Sequence, residues 1–231
     1  MISIIKAGER HFQDHGWLKT HWLFSFDSYY DPNNIQFAAL RVFNDDKVAP
    51  GQGFDMHRHR EMEIVTIVLS GAITHQDSLG NKKRVKAGEV QVMSAGTGIM
   101  HSEYNLEQKE LHLYQVWFLP NKSQLTPAYD QKDFSKIDKS NKFVAVASGK
   151  DDDDALYINS DARLSLGHLE KGRSLAHTLG QNVKNFIYIL NGKLTVNGKT
   201  LAEGYQARVE DESELKLAAD ESTNFILIDL F

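Results

Sequence analysis

The sequence predicts an all-β protein made of two similar β-barrels in tandem. Three observations carry this: extended segments dominate, Gly-containing turn dipeptides separate them, and one strand-turn-strand pattern occurs twice. Ile35 to Phe43, Glu63 to Leu69, Ala72 to His75, Val90 to Met93, Leu111 to Phe118, Phe186 to Leu190 and Phe225 to Leu230 are rich in β-branched, aromatic or leucine residues. Such side chains fit a pleated, partly buried surface, so these segments read as strands. Ser70-Gly71, Gly80-Asn81, Asn191-Gly192 and Asn197-Gly198 supply residues that tolerate the positive φ of tight hairpins. Helical periodicity is scarce, and helices should be short and peripheral.

The repeat sets Ile67-Val68-Leu69-Ser70-Gly71-Ala72-Ile73-Thr74 beside Tyr188-Ile189-Leu190-Asn191-Gly192-Lys193-Leu194-Thr195. Each copy runs on to a similar turn, Ala87-Gly88-Glu89 in the first and Ala202-Glu203-Gly204 in the second. This divides the chain into a barrel over residues 1–120, a polar connection over 121–141 and a second barrel over 142–231. The four-residue acidic run Asp151 to Asp154 reads as a solvated loop that a cation can visit.

Composition narrows the chemistry. A chain of 231 residues, 41% hydrophobic and 25% charged, has the balance of an ordinary globular protein. No apolar run approaches the roughly 20 residues that span a bilayer, and Met1 to Phe12 lacks the order of a signal peptide, so a cytoplasmic address is expected. The absence of cysteine excludes a disulfide framework, a thiolate metal site and a cysteine nucleophile. A net charge of −5 does not favour nucleic acid. The expected ligand is a small molecule, and any metal must be held by His and carboxylate.

The histidines offer such a site. In a strand, residues two apart share a face, so His57 and His59 present both imidazoles to one side. His101 and Glu103 repeat the device with one imidazole and one carboxylate. Neighbouring strands about 4.8 Å apart let these four converge on one ion at roughly 2.0 to 2.3 Å. Glu61 and Glu63 share the parity of His57 and His59 and compete for the carboxylate role. Glu63 lies about 13 Å beyond His59 on a straight strand, so it serves only if the strand bends. His11, His15, His21, His75, His112, His168 and His177 lack a comparable pairing and read as structural or exposed, with His21 and Trp22 open to lining a pocket.

The stretch from Gly51 to Asn105 resembles the pirin branch of the cupins. It reads Gly-Gln-Gly-Phe-Asp-Met-His-Arg-His, then Glu-Ile-Val-Thr, His-Gln-Asp-Ser-Leu-Gly-Asn and Met-Ser-Ala-Gly-Thr-Gly-Ile-Met-His-Ser-Glu-Tyr-Asn. Phe24-Ser25-Phe26, Tyr29-Tyr30-Asp31-Pro32 and Leu40-Arg41-Val42-Phe43-Asn44-Asp45-Asp46 extend the likeness upstream. The resemblance implies a bicupin, two tandem jelly-roll-like barrels, with metal ligands falling on His57, His59, His101 and Glu103. Two features depart from the pattern. Arg58 stands where pirin-like chains usually carry proline, with its side chain expected to point away from the ion, and the proline that general cupins place before the third histidine is missing. The internal repeat puts Thr178 and Gly180 opposite His57 and His59, so the second barrel should lack the metal, with His177 a lone residue.

Four protein ligands leave a position open on a five- or six-coordinate ion. The donor set admits Fe(II), Mn, Co, Ni, Cu or Zn. The resemblance favours Fe(II), and it implies a quercetin 2,3-dioxygenase acting on a flavonol with O₂ and releasing carbon monoxide. Glu103, if it loosens from the metal, is placed to act as catalytic base toward the flavonol 3-hydroxyl. Phe54, Met93, Ile99 and Met100 are candidates for an apolar pocket wall, each with core packing as the competing role. The alternative function is a redox-sensing regulatory protein of pirin type that binds transcription-related protein partners without turnover.

Overall fold

The computed structural model describes residues 1–150 and 154–231; Asp151 to Asp153 of the acidic run lie outside the described residues. Among the described residues the structure is all β, with one 3-10 turn at Ala7–Glu9 and no α-helix, so no helix is long and apolar enough to cross a membrane. The chain forms two compact units.

The first unit comprises His11–Lys136 and Leu156–Ser160. Its strands are β2 (His11–Asp14), β3 (Leu18–Trp22), β4 (Leu40–Val48), β5 (Gly53–His59), β6 (Glu63–Ser70), β7 (Ala72–Asp77), β8 (Lys82–Lys86), β9 (Glu89–Ser94), β10 (Ile99–Tyr104), β11 (Leu111–Phe118), β12 (Ala128–Asp133) and β14 (Leu156–Tyr157). A seven-stranded sheet runs in the order β12-β9-β6-β11-β4-β3-β2, and a four-stranded sheet in the order β5-β10-β7-β8. Leu18, Val48, Val68, Leu111 and Leu113 from the large sheet pack with Ile73 and Val85 from the small one. Burying each such side chain contributes roughly 1.5–3 kcal/mol. In β6 the run Glu63 to Val68 is buried without alternation, as befits a strand covered on both faces. β8 is an edge strand whose lysines are exposed around buried Val85, a pattern that discourages pairing with other chains.

The second unit comprises Met1–Arg10, Ile137–Ala155 and Asp161–Phe231. It holds β1 (Ile2–Ile5), β13 (Lys142–Ser148), β15 (Ala162–Leu169), β16 (Ser174–Thr178), β17 (Lys184–Asn191), β18 (Lys193–Val196), β19 (Lys199–Ala202), β20 (Gln206–Val209), β21 (Glu214–Ala219) and β22 (Thr223–Leu230). In its large sheet β1-β20-β17-β22-β15-β13 are neighbours in that order, and its small sheet runs β16-β21-β18-β19. Ile187, Ile189, Leu194, Leu217, Phe225 and Leu227 belong to its core. The repeated segments of the sequence are β6-turn-β7 and β17-turn-β18, with Gly71 and Gly192 at φ +80° and +82°.

Two sequence expectations differ from this structure. The expected strand Ile35 to Phe43 begins only at Leu40, because the chain turns sharply there. Ala38 has φ +49°, Phe37 and Leu40 exchange backbone hydrogen bonds, and the Arg41 guanidinium donates to the Ile35 and Ser25 carbonyls. The units also depart from the boundaries 1–120, 121–141 and 142–231. Ile2–Ile5 pairs with Gln206–Val209 and so sits with the second unit, whereas Ala128–Asp133 pairs with Glu89–Ser94 in the first.

Candidate metal centre

The site grows out of three neighbouring strands of the small sheet in the first unit. β10 lies between β5 and β7, with His101 opposite His57 on one side and Asp77 on the other. Ile99 stands opposite His59, and Glu103 opposite His75. In β10, Ile99, His101 and Glu103 are buried while Met100 and Ser102 are not, as alternation requires. Pairing of β5 with β10 shifts register between His101 and Glu103, leaving Asp55 and Met56 both opposite one residue. This bulge turns Phe54 and His57, three residues apart, toward the same side, where a regular strand opposes them.

His57, His59 and His101 each offer a ring nitrogen within 4.8 Å of the others. Hydrogen bonds on the far sides of two rings decide which nitrogens face inward. His57 Nδ1–H donates to the Asp55 carbonyl at 2.6 Å, so its Nε2 carries the lone pair. Behind His101, its Nδ1 lies 3.5 Å from His75 Nδ1, and His75 Nε2 lies 2.9 Å from the Asp77 carboxylate. Burial raises the Asp77 pKa, but hydrogen bonds from His75, Asn81 and the Leu79 amide outweigh it, leaving the pKa lowered. The ionised carboxylate therefore accepts a hydrogen bond from His75 Nε2–H, His75 Nδ1 accepts from His101 Nδ1–H, and His101 Nε2 is left with a lone pair.

His57 Nε2 and His101 Nε2 then face each other at 2.9 Å. Two lone pairs at that distance repel unless a cation lies between them, so the donor set fits a divalent ion. Burial, followed by repulsion among the imidazoles, lowers His59 to about 4 and His101 to about 3, and neutral rings are what a metal requires.

Glu103 is 1% exposed and groups with His75 and His101, its carboxylate within 4.8 Å of their nitrogens. It is not part of the tight group formed by His57, His59 and His101. Its oxygens accept from Gln91 Nε2 at 2.7 Å and Gln115 Nε2 at 2.8 Å. Trp117 Nε1 donates to Gln115 Oε1 at 3.0 Å, and the Tyr129 hydroxyl lies 3.1 Å from Gln91 Oε1, which turns both amide NH₂ groups toward Glu103. Each carboxylate oxygen retains lone pairs for an ion or a proton. Glu61 and Glu63 join neither group. Glu61 accepts from the Gln124 amide, and Glu63 is occupied by Ser94 and Asn159, with burial raising its pKa.

His75 was read from sequence as unpaired, and the structure corrects this: it is fully buried, stacked on Tyr129 at 4.5 Å and paired with Asp77. The available signal was His75-Gln76-Asp77, which has the same two-residue spacing as the ligand pairs. His112 and His177 also have carboxylate partners, Asp45 at 2.7 Å and Asp229 at 2.8 Å. Exposed Arg58 lies over Gly98.

The site opens on a cleft of about 650 Å³ lined by His57, His59 and Glu103 on one side. Trp17, Trp22, Phe26, Phe54 and Trp117 line it as well. Their rings pack edge to face, Trp22 on Phe26 at 5.5 Å and Phe26 on Trp117 at 5.4 Å, and Trp117 meets His59 at 4.8 Å. Of the expected wall residues, Phe54 lines the cleft, Met93 and Ile99 pack in a core cluster, and Met100 is exposed. His21 does not line the cleft, although Trp22 does. Asn44 and Asp46 add polar groups to its wall, and burial raises Asp46 to about 7, partly offset by the Thr20 hydroxyl.

Comparison with known proteins places these features in a lineage. Residues 6–118 match the family described as Pirin, and residues 145–230 match the one described as Quercetinase C-terminal cupin domain. A protein of Caulobacter vibrioides called "Pirin-like protein" is 48% identical over 217 residues, covering 94% of each chain. The Escherichia coli K12 protein called "Quercetin 2,3-dioxygenase" is 42% identical over 231 residues, covering 100% of this chain and 99% of that one. The crystal structure of bacterial pirin YhhW in complex with nickel(II), from Escherichia coli, superposes with a TM-score of 0.95 at 42% identity, covering 100% of this chain and 99% of that one.

Proposed function

This chain belongs to the pirin family of two-cupin proteins, and on that premise we propose that it is a metal-dependent dioxygenase that cleaves a flavonol such as quercetin. Both atoms of O₂ enter the product, and one ring carbon leaves as carbon monoxide. The observation that carries this reading is the convergence of His57, His59 and His101 at the edge of an aromatic-walled cleft large enough for such a ligand.

In this reading His57, His59, His101 and Glu103 hold one divalent ion, and iron(II) is the ion we assign to this imidazole-rich, carboxylate-completed set. The nickel(II) complex of bacterial pirin YhhW from E. coli supports metal binding in the family. The ion supplies Lewis acidity for the flavonol 3-oxygen and a partner for O₂.

The rest is the work of side chains. Asp55 and the His75–Asp77 pair keep the Nε2 atoms of His57 and His101 aimed inward. Glu103, on the cleft wall, takes the proton of the flavonol 3-hydroxyl, while Gln91 and Gln115 fix the orientation of its carboxylate. Trp22, Phe26 and Trp117 cover the planar rings and exclude water.

The test is aerobic incubation of the iron-reconstituted protein with quercetin, following flavonol loss and carbon monoxide together. The expected result is one carbon monoxide per flavonol consumed, abolished in His57→Ala. Intact flavonol with no carbon monoxide contradicts the proposal.

A further inference from the structure

We propose that Asn44 and Asp46 form a polar subsite in the same cleft that binds phenolic hydroxyl groups of an aromatic ligand, separate from the face that carries the metal ligands. The inference deepens the flavonol reading and rests on it for the choice of ligand.

Asn44 and Asp46 stand two apart on β4 and so point to the same side of the large sheet. They are 4% and 3% exposed, and both line the cleft. Oδ1 of each has no hydrogen-bond partner among the described residues. Buried polar atoms are nearly always satisfied, so two unsatisfied acceptors on a cleft wall mark a place that a ligand completes. Thr20, opposite Asp46 on β3, brings a hydroxyl near its carboxyl, yet Thr20 Oγ1 and Asp46 Oδ1 both lack a partner within hydrogen-bond distance among the described residues. Gln115, opposite Asn44 on β11, commits its NH₂ to Glu103 and its oxygen to Trp117. Trp22, opposite Asn44 on β3, brings an aromatic ring beside the same spot.

The chemistry selects the ligand class. Asn44 Oδ1 can only accept a hydrogen bond, and a partner must therefore bring a donor. Asp46, whose proton burial retains up to near neutral pH, both gives and takes one, which suits a hydroxyl. Asp27 and Asp55 also line the cleft, and this acceptor-rich surface disfavours a carboxylate or phosphate ligand. The indole and phenyl faces favour a flat ring over a flexible polyol. A polyhydroxylated aromatic meets all of these conditions.

All three tryptophans of the chain, Trp17, Trp22 and Trp117, line the cleft, so their fluorescence reports its occupancy. The experiment titrates metal-loaded protein, without oxygen, with quercetin and with 3-hydroxyflavone, which lacks every hydroxyl but the one at the 3-position. The wild type is expected to bind quercetin at least about tenfold more tightly. Asn44→Leu and Asp46→Leu, which keep volume and remove the oxygens, should each weaken quercetin about tenfold and leave 3-hydroxyflavone within about twofold. Asp46→Asn, which keeps a donor and an acceptor, should recover part of the loss.

If the leucine variants do not melt cooperatively, Asn44→Ala and Asp46→Ala carry the same comparison. Equal weakening of both flavonols, or no change in quercetin, overturns the subsite, as does failure of the wild type to bind either. The dioxygenase reading fails separately: discrimination lost in the variants but no carbon monoxide in air sinks that reading and leaves the subsite standing. Carbon monoxide release with unchanged discrimination does the reverse.

Discussion

His75 touches no open face of the cleft, yet it decides which nitrogen of His101 faces the other imidazoles. Asp77 orients His75, and His75 Nδ1 orients His101, through contacts of 2.9 and 3.5 Å. Losing such an outer partner typically costs 10–100-fold in metal affinity. His75→Phe should therefore release its ion to a competing chelator at about 10–100-fold lower chelator concentration, and unchanged competition would remove His75 from the account. Asp46 makes a second prediction at this scale. Its folded pKa, about 7, lies above the ordinary 3.8, so between these values the folded chain holds a proton that the unfolded chain has lost. Its contribution to stability is therefore greatest below about pH 4 and falls as pH rises to about 7, by on the order of 4 kcal/mol in total. Urea unfolding of chelator-treated protein should show the stability of wild type relative to Asp46→Asn falling as pH rises across this window, on top of the rise that the depressed His59 and His101 give both proteins; parallel pH profiles would contradict it. The sequence made the grouping of His57, His59 and His101 legible, because His57/His59 and His101/Glu103 carry the two-residue spacing of a strand face. Asp46 was hidden, since an Asp-Asp pair on a polar-looking segment carries no mark of burial.

At the scale of elements, the bulge in β5 is what allows Phe54 to wall the cleft while His57 joins the ligands. Gly53 permits that close approach. A Cβ there would overlap the Glu103 carbonyl and lie 2.6 Å from Tyr104 Cα, both of them backbone atoms that cannot swing aside. Gly53→Ala should cost about 1–3 kcal/mol of stability and weaken metal retention at the same time, because β10 must shift and takes Glu103 with it. Thermal melts and metal analysis of the same preparation check this; wild-type values in both would mean the contact is relieved at no cost. Leu111 to Phe118 was legible to the residue because all but His112 and Gln115 are aliphatic or aromatic and the strand is central in its sheet. Lys82–Lys86 and Ser174–Thr178 were not, since edge strands with one wetted face lack the run of β-branched residues that marks a strand. The bulge had no signal at all: it comes from pairing with a distant segment.

At the scale of the whole molecule, the twofold repeat is real in the topology. Large-sheet order β12-β9-β6-β11-β4 in one unit answers β1-β20-β17-β22-β15 in the other, and β5-β10-β7-β8 answers β16-β21-β18-β19. That much followed from two hairpins in the sequence. The unit boundaries did not, because pairing of Ile2–Ile5 with Gln206–Val209 spans nearly the full chain and leaves no local trace. Among the described residues, the groups of three metal-capable side chains all fall in the first unit, while His177 of the second pairs with Asp229. The proposed centre holds one ion per chain, through His57, His59, His101 and Glu103. Metal content per chain, measured for wild type, for each ligand changed singly to Ala, and for His177→Ala, tests it most directly. One ion in wild type and in His177→Ala, with loss in each of the four ligand variants, is the predicted result. Full metal content in any of those four, or its loss in His177→Ala, would contradict it.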